Sequence, residues 1–390
     1  MLKVMPIFGT RPEAIKMAPL VKELESASDI ETVVCVTAQH RDMLDQVLRL
    51  FNINPKYDLD VMKKNQSLSA ITSSVLKGLD EVLEKEKPDL ILVHGDTTTT
   101  FVSALSAFYK KIKVGHVEAG LRSHDKWFPY PEEINRKLTG VLADLHFAPT
   151  QTAKDNLLRE GVCEKDIFVT GNTVIDAMKY TVKDNYVFRD DRLNNIDYEN
   201  KRVIVVTAHR RENWGEPIEN ICNALRKIAI NIKDTYIIYP VHKNPIVRDA
   251  VFSILDDIEN VLLLDPIDTD EMHNLLKRCY MVMTDSGGLQ EEVPSLGKPV
   301  LVLRDVTERP EAVKAGTVKI IGTDFDRVYS EAKLLLTDKN EYDRMANAVN
   351  PYGDGNASRR IVTAIKYVFG MTNERPNDFN EGLKEVSHPL

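Results

Sequence analysis

The sequence predicts an α/β protein built from two doubly wound, Rossmann-like domains. The first observation is the length, since 390 residues exceed one ordinary domain and make two the default expectation. The second is that short β-branched runs alternate with amphipathic stretches along the chain, a pattern typical of strand–helix units and parallel sheets. The third is the polar, Asp- and Asn-rich segment 179–200, which has no hydrophobic period and divides the chain near its middle.

These observations predict the domain boundaries. We expect an N-terminal Rossmann-like domain over 1–178, a linker over 179–200 and a C-terminal Rossmann-like domain over 201–365. The tail 366–390 is expected to pack back on the N-terminal domain. Ligands of such sheets bind beyond the carboxyl ends of the strands, so we expect a binding cleft between the two domains.

Apolar runs place the strands in chain order. In the first half the predicted strands are Lys3–Phe8, Thr32–Thr37, Asp89–Val93, Lys113–Val117, Leu145–Ala148 and Ile167–Val169. In the second half they are Arg202–Thr207, Tyr236–Tyr239, Val261–Leu264, Met281–Thr284 and Val300–Leu303. Each run has the length and composition of a buried strand.

Composition excludes several classes of protein. A net charge of −8 argues against a nucleic-acid partner, although a local cluster of cations can still bind a small anion. The four cysteines are far apart, which favours core packing over a disulfide or zinc framework. No apolar run approaches the ~18 residues of a membrane span, and the N-terminus lacks a signal peptide. We therefore expect a cytoplasmic protein with no membrane partner.

The first strand leads into "GTRPEAIKMAP", which holds two cations where a helix should begin. Thr10 and Glu13 fit a capping box, but helix capping gives no reason for Arg11 or Lys16. A cation is disfavoured at a helix N-terminus unless an anion binds there, so these two residues predict a phosphate or carboxylate ligand. Pro19 requires the helix either to start late or to kink.

Three carboxylates follow later strands of the first half. Asp96 lies in "HGDTTTT", where it could simply cap the next helix, whereas Glu118 in "HVEAGLRS" has no obvious capping role. Glu132 lies in "PEEINR", and Pro131 before two glutamates is also an ordinary helix start. Three carboxylates at one edge of a sheet can act as acid and base if their surroundings separate their pKa values.

Histidines precede two of these carboxylates, and such pairs resemble metal ligands because residues i and i+2 of a strand share a face. The pairs are His94 with Asp96 and His116 with Glu118. No complete ligand set at familiar spacing accompanies them. We expect no metal site and no cofactor.

Two strand ends of the second half carry cations. "VTAHRREN" places His209 and Arg210 after one strand, and "YPVHKNP" places His242 after another. Each histidine could equally be a packed polar residue. These residues are candidates for binding an anion.

A glycine turn in the second half resembles a phosphate site. Ser286, Gly287 and Gly288 follow a strand and open a helix, where backbone N–H groups can bind phosphate. Glu292 lies one turn further on, within reach of a ribose diol, and Arg309 adds positive charge. The glycines could serve only a tight turn, but together the features predict a nucleotide diphosphate.

The motifs GTRPEAIKMAP, HGDTTTT, HVEAGLRS, PEEINR, TAHRREN, TDSGGLQEE and TERPEA occur in this order. With them the sequence closely resembles the non-hydrolysing UDP-N-acetylglucosamine 2-epimerases from Leu2 to about Ile365. The resemblance implies a glycosyltransferase-B-like fold and a homodimer. It also implies interconversion of UDP-GlcNAc and UDP-ManNAc by elimination of UDP to 2-acetamidoglucal and re-addition, supplying ManNAc for cell-surface polysaccharides.

The resemblance also implies roles for individual residues, with sugar chemistry in the N-terminal domain and UDP binding in the C-terminal one. The family's catalytic and substrate-binding positions fall on Arg11, Lys16, Asp96, Glu118, Glu132 and His209. Proton transfer is expected from the three carboxylates, without assigning acid or base, and diphosphate stabilisation from His209. Further nucleotide contacts fall on Met272, beside the uracil, and on Ser286, Gly287, Gly288, Glu292 and Arg309.

Many bacterial members bind a second UDP-GlcNAc as an allosteric activator. The matching positions are Gln39, Gln66, Glu132, Arg210 and His242. Where a further Gln and an Arg are expected, this chain has Asp42 and Asn65.

Three other functions compete with this one. A glycosyltransferase of the same fold would share the S-G-G-x-x-x-E arrangement, but the carboxylates and the lack of an evident acceptor groove favour epimerisation. A hydrolysing epimerase would differ only in letting water reach the intermediate. A silent nucleotide-sugar sensor would be expected to lose the carboxylates, and they are present.

Overall fold

The computed structural model describes residues 1–38, 41–61 and 66–380. Its strands are β1 (Leu2–Phe8), β2 (Ile30–Thr32), β3 (Cys35–Val36), β4 (Tyr57–Asp58), β5 (Leu90–His94), β6 (Lys113–Val117), β7 (Leu145–Ala148), β8 (Ile167–Val169), β9 (Arg202–Thr207), β10 (Thr235–Pro240), β11 (Val261–Leu264), β12 (Met281–Thr284), β13 (Val300–Val302) and β14 (Val318–Ile320). Its helices are α1 (Arg11–Ser26), α2 (Arg41–Leu50), α3 (Leu68–Glu86), α4 (Thr98–Tyr109), α5 (Glu132–Leu142), α6 (Gln151–Arg159), α7 (Thr173–Thr181), α8 (Asp191–Asn194), α9 (Glu216–Asn231), α10 (Pro245–Leu255), α11 (Thr269–Arg278), α12 (Gly287–Glu292), α13 (Pro310–Ala315), α14 (Phe325–Thr337), α15 (Lys339–Ala346) and α16 (Ala357–Val368). Among these helices, as far as the structure describes the chain, none is long and apolar enough to cross a membrane.

Helix α1 begins as the capping box predicts. Thr10 is the N-cap: its Oγ1 accepts the N–H of Glu13 at 3.4 Å, and the Thr10 N–H donates to Glu13 Oε2 at 2.7 Å. Pro19 lies inside the helix and is buried. Of the two expected consequences of Pro19, a late start is therefore excluded.

The first sheet is parallel, with strand order β4-β3-β1-β5-β6-β7-β8 and β2 paired to β1. Because β1, β5 and β6 are neighbours running the same way, the loops after their carboxyl ends lie at one edge of the sheet. The loops after Phe8, His94 and Val117 carry most of the carboxylates and cations that the sequence singled out.

Alternation along β1 builds the core on both faces of this sheet. Val4 and Phe8 pack with apolar residues of α1, α2 and α16, whereas Met5 and Ile7 pack with those of α3 and α4. A period of two sends successive side chains to opposite faces, so helices cover both of them.

The second sheet is also parallel, with strand order β11-β10-β9-β12-β13-β14. Strand β9 lies between β10 and β12, which places the segments after Thr207, Pro240 and Thr284 at one edge. Apolar residues of α9, α10 and α14 pack in the core cluster that includes this sheet.

The described chain divides into two compact units, and both have parallel sheets, which confirms the predicted α/β class. The first unit holds residues 1–180 and 352–380, and the second holds Thr181–Pro351. This division differs from the expected linker, because most of 179–200 packs on the second unit. The Arg189 N–H donates to Glu271 Oε1 at 2.8 Å, and Phe188 is buried.

Helix α16, most of which was predicted to belong to the C-terminal domain, packs in the first unit. Asp176 accepts the N–H groups of Ala357 (3.1 Å) and Ser358 (2.7 Å) at the start of this helix. Burial raises the pKa of Asp176 to about 6. The chain beyond the helix also packs on this unit, since the Phe379 N–H donates to the Val169 carbonyl at 2.7 Å.

Candidate active site

Glu13 ties together the loops that follow β1 and β5. Its Oε2 accepts the N–H groups of Gly9 (3.0 Å) and Thr10 (2.7 Å), and its Oε1 accepts the hydroxyls of Thr97 (2.7 Å) and Thr100 (3.0 Å). The side chain is buried, and a buried carboxylate is stable only when its oxygens are bonded in this way. Glu13 is therefore a structural residue of the site.

The two cations of α1 differ in their partners. Lys16 forms an ion pair with Glu118 through Nζ and Oε1. Arg11, the first residue of the helix, is half-buried and has no hydrogen-bond or ion-pair partner within the described ranges. An unpaired guanidinium at the positive end of a helix is unfavourable unless an anion binds there.

Glu118 is held tightly just beyond β6. Besides Lys16, the Asn172 amide donates to its Oε1 at 2.9 Å, and its Oε2 lies 3.9 Å from His94 Nε2. Its backbone adopts φ +62, a left-handed conformation that non-glycine residues rarely take. Such strain persists where the surroundings fix it and is commonest at functional sites.

Asp96 does not cap the following helix, which was the alternative role open to it from the sequence. Thr97 is the N-cap of α4, its Oγ1 accepting the Thr100 N–H at 3.1 Å. The Asp96 carboxylate pairs instead with Arg136, with Oδ2 and Nη2 2.6 Å apart.

The backbone around Asp96 is fixed by side chains from neighbouring elements. The Asn135 amide donates to the Asp96 carbonyl at 2.9 Å. His116 Nε2 lies 2.7 Å from the Gly95 carbonyl, and because a carbonyl only accepts, His116 donates. Asp96 thus lies on a rigid loop.

The two glutamates that open α5 have different roles. Glu133 is buried and accepts the N–H groups of Ser123 (2.9 Å) and His124 (3.2 Å), and its Oε2 lies 3.3 Å from Arg136 Nη1. Glu133 is therefore a structural residue. Glu132 keeps a buried Oε2 that has no hydrogen-bond partner in the part of the chain the structure describes.

Three histidines of the first unit are buried and neutral at physiological pH. Burial lowers the pKa of His94 to about 4, that of His116 to about 3 and that of His146 to about 4. His94 stays low although the nearby Glu118 carboxylate acts in the opposite direction.

These histidines predict loss of stability in mild acid. A pKa lowered by folding gives stability that is complete above the unfolded value of ~6.5 and is lost as the pH falls towards the folded value. Each histidine contributes on the order of a few kcal/mol. We expect the melting temperature to fall already between pH 6.5 and 5, while ¹⁵N-detected NMR shows the three rings still neutral at pH 5. Protonated rings in the folded protein at pH 5 would contradict the assignment.

In the second unit, Asp285 organises the end of β9. Its Oδ2 accepts the N–H groups of His209 (2.7 Å) and Arg210 (2.8 Å) and the Asn213 amide (3.0 Å), and the carboxylate is fully buried. Its Oδ1 lies 3.5 Å from His209 Nδ1. Burial lowers the pKa of His209, and the Asp285 charge opposes that change.

The other predicted cations of this unit are paired or stacked. Arg210 Nη1 lies 3.4 Å from Glu308 Oε1, and Arg309 Nε donates to Glu291. The ring of His242 stacks on that of His209, with centroids 5.2 Å apart. Because Arg309 already donates to Glu291, it could bind a ligand only with its remaining N–H groups or by giving up this hydrogen bond.

The glycine turn begins helix α12 after β12. Ser286 is the N-cap without a side-chain capping bond, and its N–H donates to Thr284 Oγ1 at 2.9 Å. Glu292, at the end of this helix, has Oε2 3.3 Å from His273 Nε2. Met272 precedes that histidine on α11.

The structure thus gathers the predicted residues at the carboxyl edges of two sheets. The first edge carries Arg11, Lys16, Asp96 and Glu118, with Glu132 opening α5, and the second carries His209, Arg210, His242, Ser286, Gly287 and Gly288. Of the activator positions, Gln39 lies outside the described residues, as does Asn65, and Gln66 directly precedes Ser67, the N-cap of α3. The activator site stays a prediction.

The sequence did not reveal the positioning roles of the residues that hold the predicted ones in place. These residues are Asn172, Arg136, His116, Asp285 and His273. Asp285 had a signal, because it directly precedes the glycine turn in "TDSGG", and Arg136 ends the "PEEINR" motif. Among residues the structure describes, no three or more His, Cys, Asp or Glu are grouped so as to hold a metal ion.

Comparison with known proteins identifies the family. The sequence profile of UDP-N-acetylglucosamine 2-epimerase matches residues 22–366. The UDP-N-acetylglucosamine 2-epimerase of Bacillus subtilis is 55% identical over 378 residues, which are 97% of this chain and 98% of that one.

Solved structures agree with this match. The UDP-GlcNAc 2-epimerase from Neisseria meningitidis, bound to UDP-GlcNAc, is 49% identical, with a TM-score of 0.83 over 93% of this chain and 99% of that one. A glycosyltransferase of kitacinnamycin is 12% identical with a TM-score of 0.64 over 93% of this chain and 98% of that one, which supports the glycosyltransferase-B-like fold alone. Together with the profile match, these findings show that the chain belongs to the UDP-N-acetylglucosamine 2-epimerase family.

Proposed function

We propose that this protein catalyses the reversible, non-hydrolysing C2 epimerisation of UDP-GlcNAc to UDP-ManNAc. The observation that carries the proposal is the cluster at the carboxyl edge of the first sheet, where Asp96 and Glu118 are fixed by Arg136 and Lys16. Arg11, without a partner in the described chain, adds a cation to the same edge. Carboxylates for proton transfer and cations for a phosphate are the groups this reaction needs.

The proposed chemistry is elimination followed by re-addition. The C1–oxygen bond to UDP breaks with the bonding electrons leaving on the diphosphate, and the C2 proton passes to a carboxylate, giving 2-acetamidoglucal. Re-addition of UDP at C1 and return of the proton to the opposite face of C2 give the epimer. Asp96, Glu118 and Glu132 are the proposed proton-transfer groups.

Cations around the diphosphate are needed because the C2 proton is weakly acidic. It is not adjacent to a carbonyl, so departure of UDP must be well advanced in the transition state. Positive charge aimed at the leaving diphosphate then lowers the barrier. Arg11 and Lys16 are the proposed cations, and His209 is a proposed hydrogen-bond donor to the same diphosphate.

The second unit is proposed to bind the UDP moiety. Ser286, Gly287 and Gly288 would hold phosphate through backbone N–H groups, and Glu292 would accept hydrogen bonds from the ribose diol. Met272 and Arg309 complete the proposed nucleotide contacts. The product would supply ManNAc for cell-surface polysaccharide.

Proton NMR of the enzyme with UDP-GlcNAc in D₂O tests the proposal. We expect UDP-ManNAc with deuterium at C2, and no stoichiometric accumulation of UDP. Free ManNAc with an equal amount of UDP would show a hydrolysing enzyme instead. An unchanged sugar would overturn the proposal and direct attention to a glycosyltransferase acceptor.

We further propose that the protein is a homodimer that uses an apolar stripe on α5. Ile134, Leu138 and Val141 recur at helical spacing, and they are 37%, 41% and 84% exposed. Phe108 and Tyr109, at the end of the neighbouring α4, are 57% and 63% exposed. Contiguous apolar surface of this kind is characteristic of protein–protein interfaces.

Charge on this stripe is expected to break the dimer. The Leu138→Glu variant should elute as a monomer of half the native mass in size-exclusion chromatography with light scattering. Ile230→Glu is the matched control, because Ile230 is 62% exposed on α9 of the second unit, and it should leave the dimer intact. A native protein that is monomeric, or a Leu138→Glu dimer, would contradict the proposal.

A further inference from the structure

The two carboxylate oxygens of Glu292 have different surroundings. Its Oε2 lies 3.3 Å from Nε2 of His273, whereas its Oε1 has no hydrogen-bond partner within the described part of the chain. A Cβ built on Gly288 would lie 3.4 Å from Oε1, so this free oxygen faces the glycine turn. One oxygen is thus anchored in the protein, and the other is turned towards the proposed nucleotide.

His273 is the middle member of a series of polar side chains that begins at Thr181 and ends at Glu292. The ring is 2% exposed, and its Nδ1 lies 2.7 Å from Oγ1 of Thr181, which is fully buried. A lone pair on Nε2 would repel the carboxylate, so Nε2 carries a proton that points at Glu292. The ring therefore links Thr181 to Glu292 through its two nitrogens.

Hydrogen bonds to the backbone hold the Thr181 end of this series in place. Asn274, which follows His273 on α11, donates from its amide to the Thr181 carbonyl at 2.7 Å. The same side chain accepts the Lys183 N–H at 2.8 Å, and it is 1% exposed. The backbone that carries Thr181 is therefore fixed relative to α11, next to His273.

A carboxylate binds a vicinal diol well only if it is already oriented. A free glutamate side chain loses rotamer entropy when it is fixed. Anchoring one oxygen in advance removes much of that cost from the binding step. The chain of buried groups behind Glu292 performs this anchoring.

We propose that His273 is a positioning residue that makes the nucleotide site selective for ribose over deoxyribose. It acts through Glu292, and the Thr181 hydroxyl holds its other ring nitrogen. The inference rests on the proposed function only in assigning Glu292 to the ribose. Its prediction is that loss of the imidazole weakens ribose-dependent binding more than binding of the rest of the nucleotide.

The test compares UDP with 2′-deoxy-UDP and 3′-deoxy-UDP by isothermal titration calorimetry. The native protein is expected to bind UDP about 10–100-fold more tightly than at least one deoxy analogue, as for a hydrogen bond to a charged group. In His273→Leu this ratio should fall at least fivefold, to about the ratio of Glu292→Gln. His146→Leu, which removes a buried histidine of the first unit, is the matched control and should keep the native ratio.

Two further variants test the inference if His273→Leu does not fold. Thr181→Val keeps the side-chain shape but removes the hydroxyl that bonds to Nδ1, and it should lower the ratio about threefold. His273→Gln can both donate and accept, and it should recover part of the native ratio. A merely structural role would weaken UDP and the deoxy analogues alike and leave the ratio unchanged.

The outcomes separate this inference from the proposed function. Because UDP binding requires no epimerisation, the ratio is measurable whatever the D₂O experiment gives. A native ratio near one for both analogues would overturn the ribose assignment of Glu292 and the inference with it. A high native ratio that Glu292→Gln abolishes and the His273 and Thr181 variants retain would overturn the inference alone.

Discussion

Replacing Glu118 with glutamine is expected to lower turnover by about 10³-fold, within the range that general acid–base catalysis contributes. Glutamine keeps the size of the side chain and an oxygen that can accept from Lys16 and Asn172, but it cannot take up a proton. The structure already fixes this position through both partners and a left-handed backbone. The measurement is the rate of deuterium incorporation at C2 in D₂O, with the melting temperature recorded in parallel.

Glu86→Gln is the matched control for Glu118→Gln. Glu86 is also a buried glutamate of the first unit, and it lies 2.8 Å from Lys56 and 3.2 Å from Lys3. The Lys56 and Tyr57 hydrogen bonds hold its pKa down to about 2, so its charge contributes to stability. We expect Glu86→Gln to lower the melting temperature and keep native turnover. Native C2 exchange in Glu118→Gln would remove Glu118 from the proton-transfer groups.

The strands of both sheets were predictable because each buried strand is a continuous apolar run. The segment Thr32–Thr37 was predicted as one strand, but it contains only the last residue of β2 and the whole of β3, and these two strands pair with opposite ends of β1. Strand β4 was missed because it is only the two residues Tyr57–Asp58, too short for any period. Strand β14, Val318–Ile320, was missed although its residues are β-branched around Lys319.

Contacts between residues far apart in the sequence determine where helix α16 and the segment before β9 pack. Helix α16 has an ordinary amphipathic pattern that fits either unit, and its place in the first unit depends on Asp176, 181 residues earlier than Ala357. The polar segment before β9 was predicted as a linker because Asp and Asn suggest solvent. Several of its groups instead bond to α11, as Lys183 does with Asn274.

The candidate site was predictable where chemistry is tied to strand ends. Asp96 and Glu118 follow strands, and parallel topology brings such residues to one edge. Their partners were not predictable, because Asn172 contacts Glu118 across 54 residues and Asn213 contacts Asp285 across 72. Buried groups such as His116 and Glu13 look like ordinary motif residues until their hydrogen bonds are known.

Replacing Arg11 with alanine is expected to lower turnover by about 10²–10³-fold, the usual cost of losing one preorganised donor to a developing negative charge. The same substitution should not lower the stability of the fold. A cation at the first position of α1 opposes the helix dipole by about 0.3–1 kcal/mol, and within the described residues no carboxylate forms an ion pair with Arg11. The melting temperature should therefore stay the same or rise slightly, while the rate of C2 exchange falls.

Arg360→Ala is the matched control, because Arg360 is a partly buried arginine of the same unit with full pairing. Its guanidinium lies 2.6 Å from Asp354 Oδ2 and donates to the Thr170 carbonyl at 3.2 Å, so its loss should lower the melting temperature and spare turnover. Arg11→Lys keeps the charge but not the planar fork, and it should recover only part of the rate. A lower melting temperature with native turnover in Arg11→Ala would mean that this arginine serves the fold. Lower turnover with an unchanged or higher melting temperature would mean that α1 keeps an unfavourable charge because the leaving diphosphate requires it.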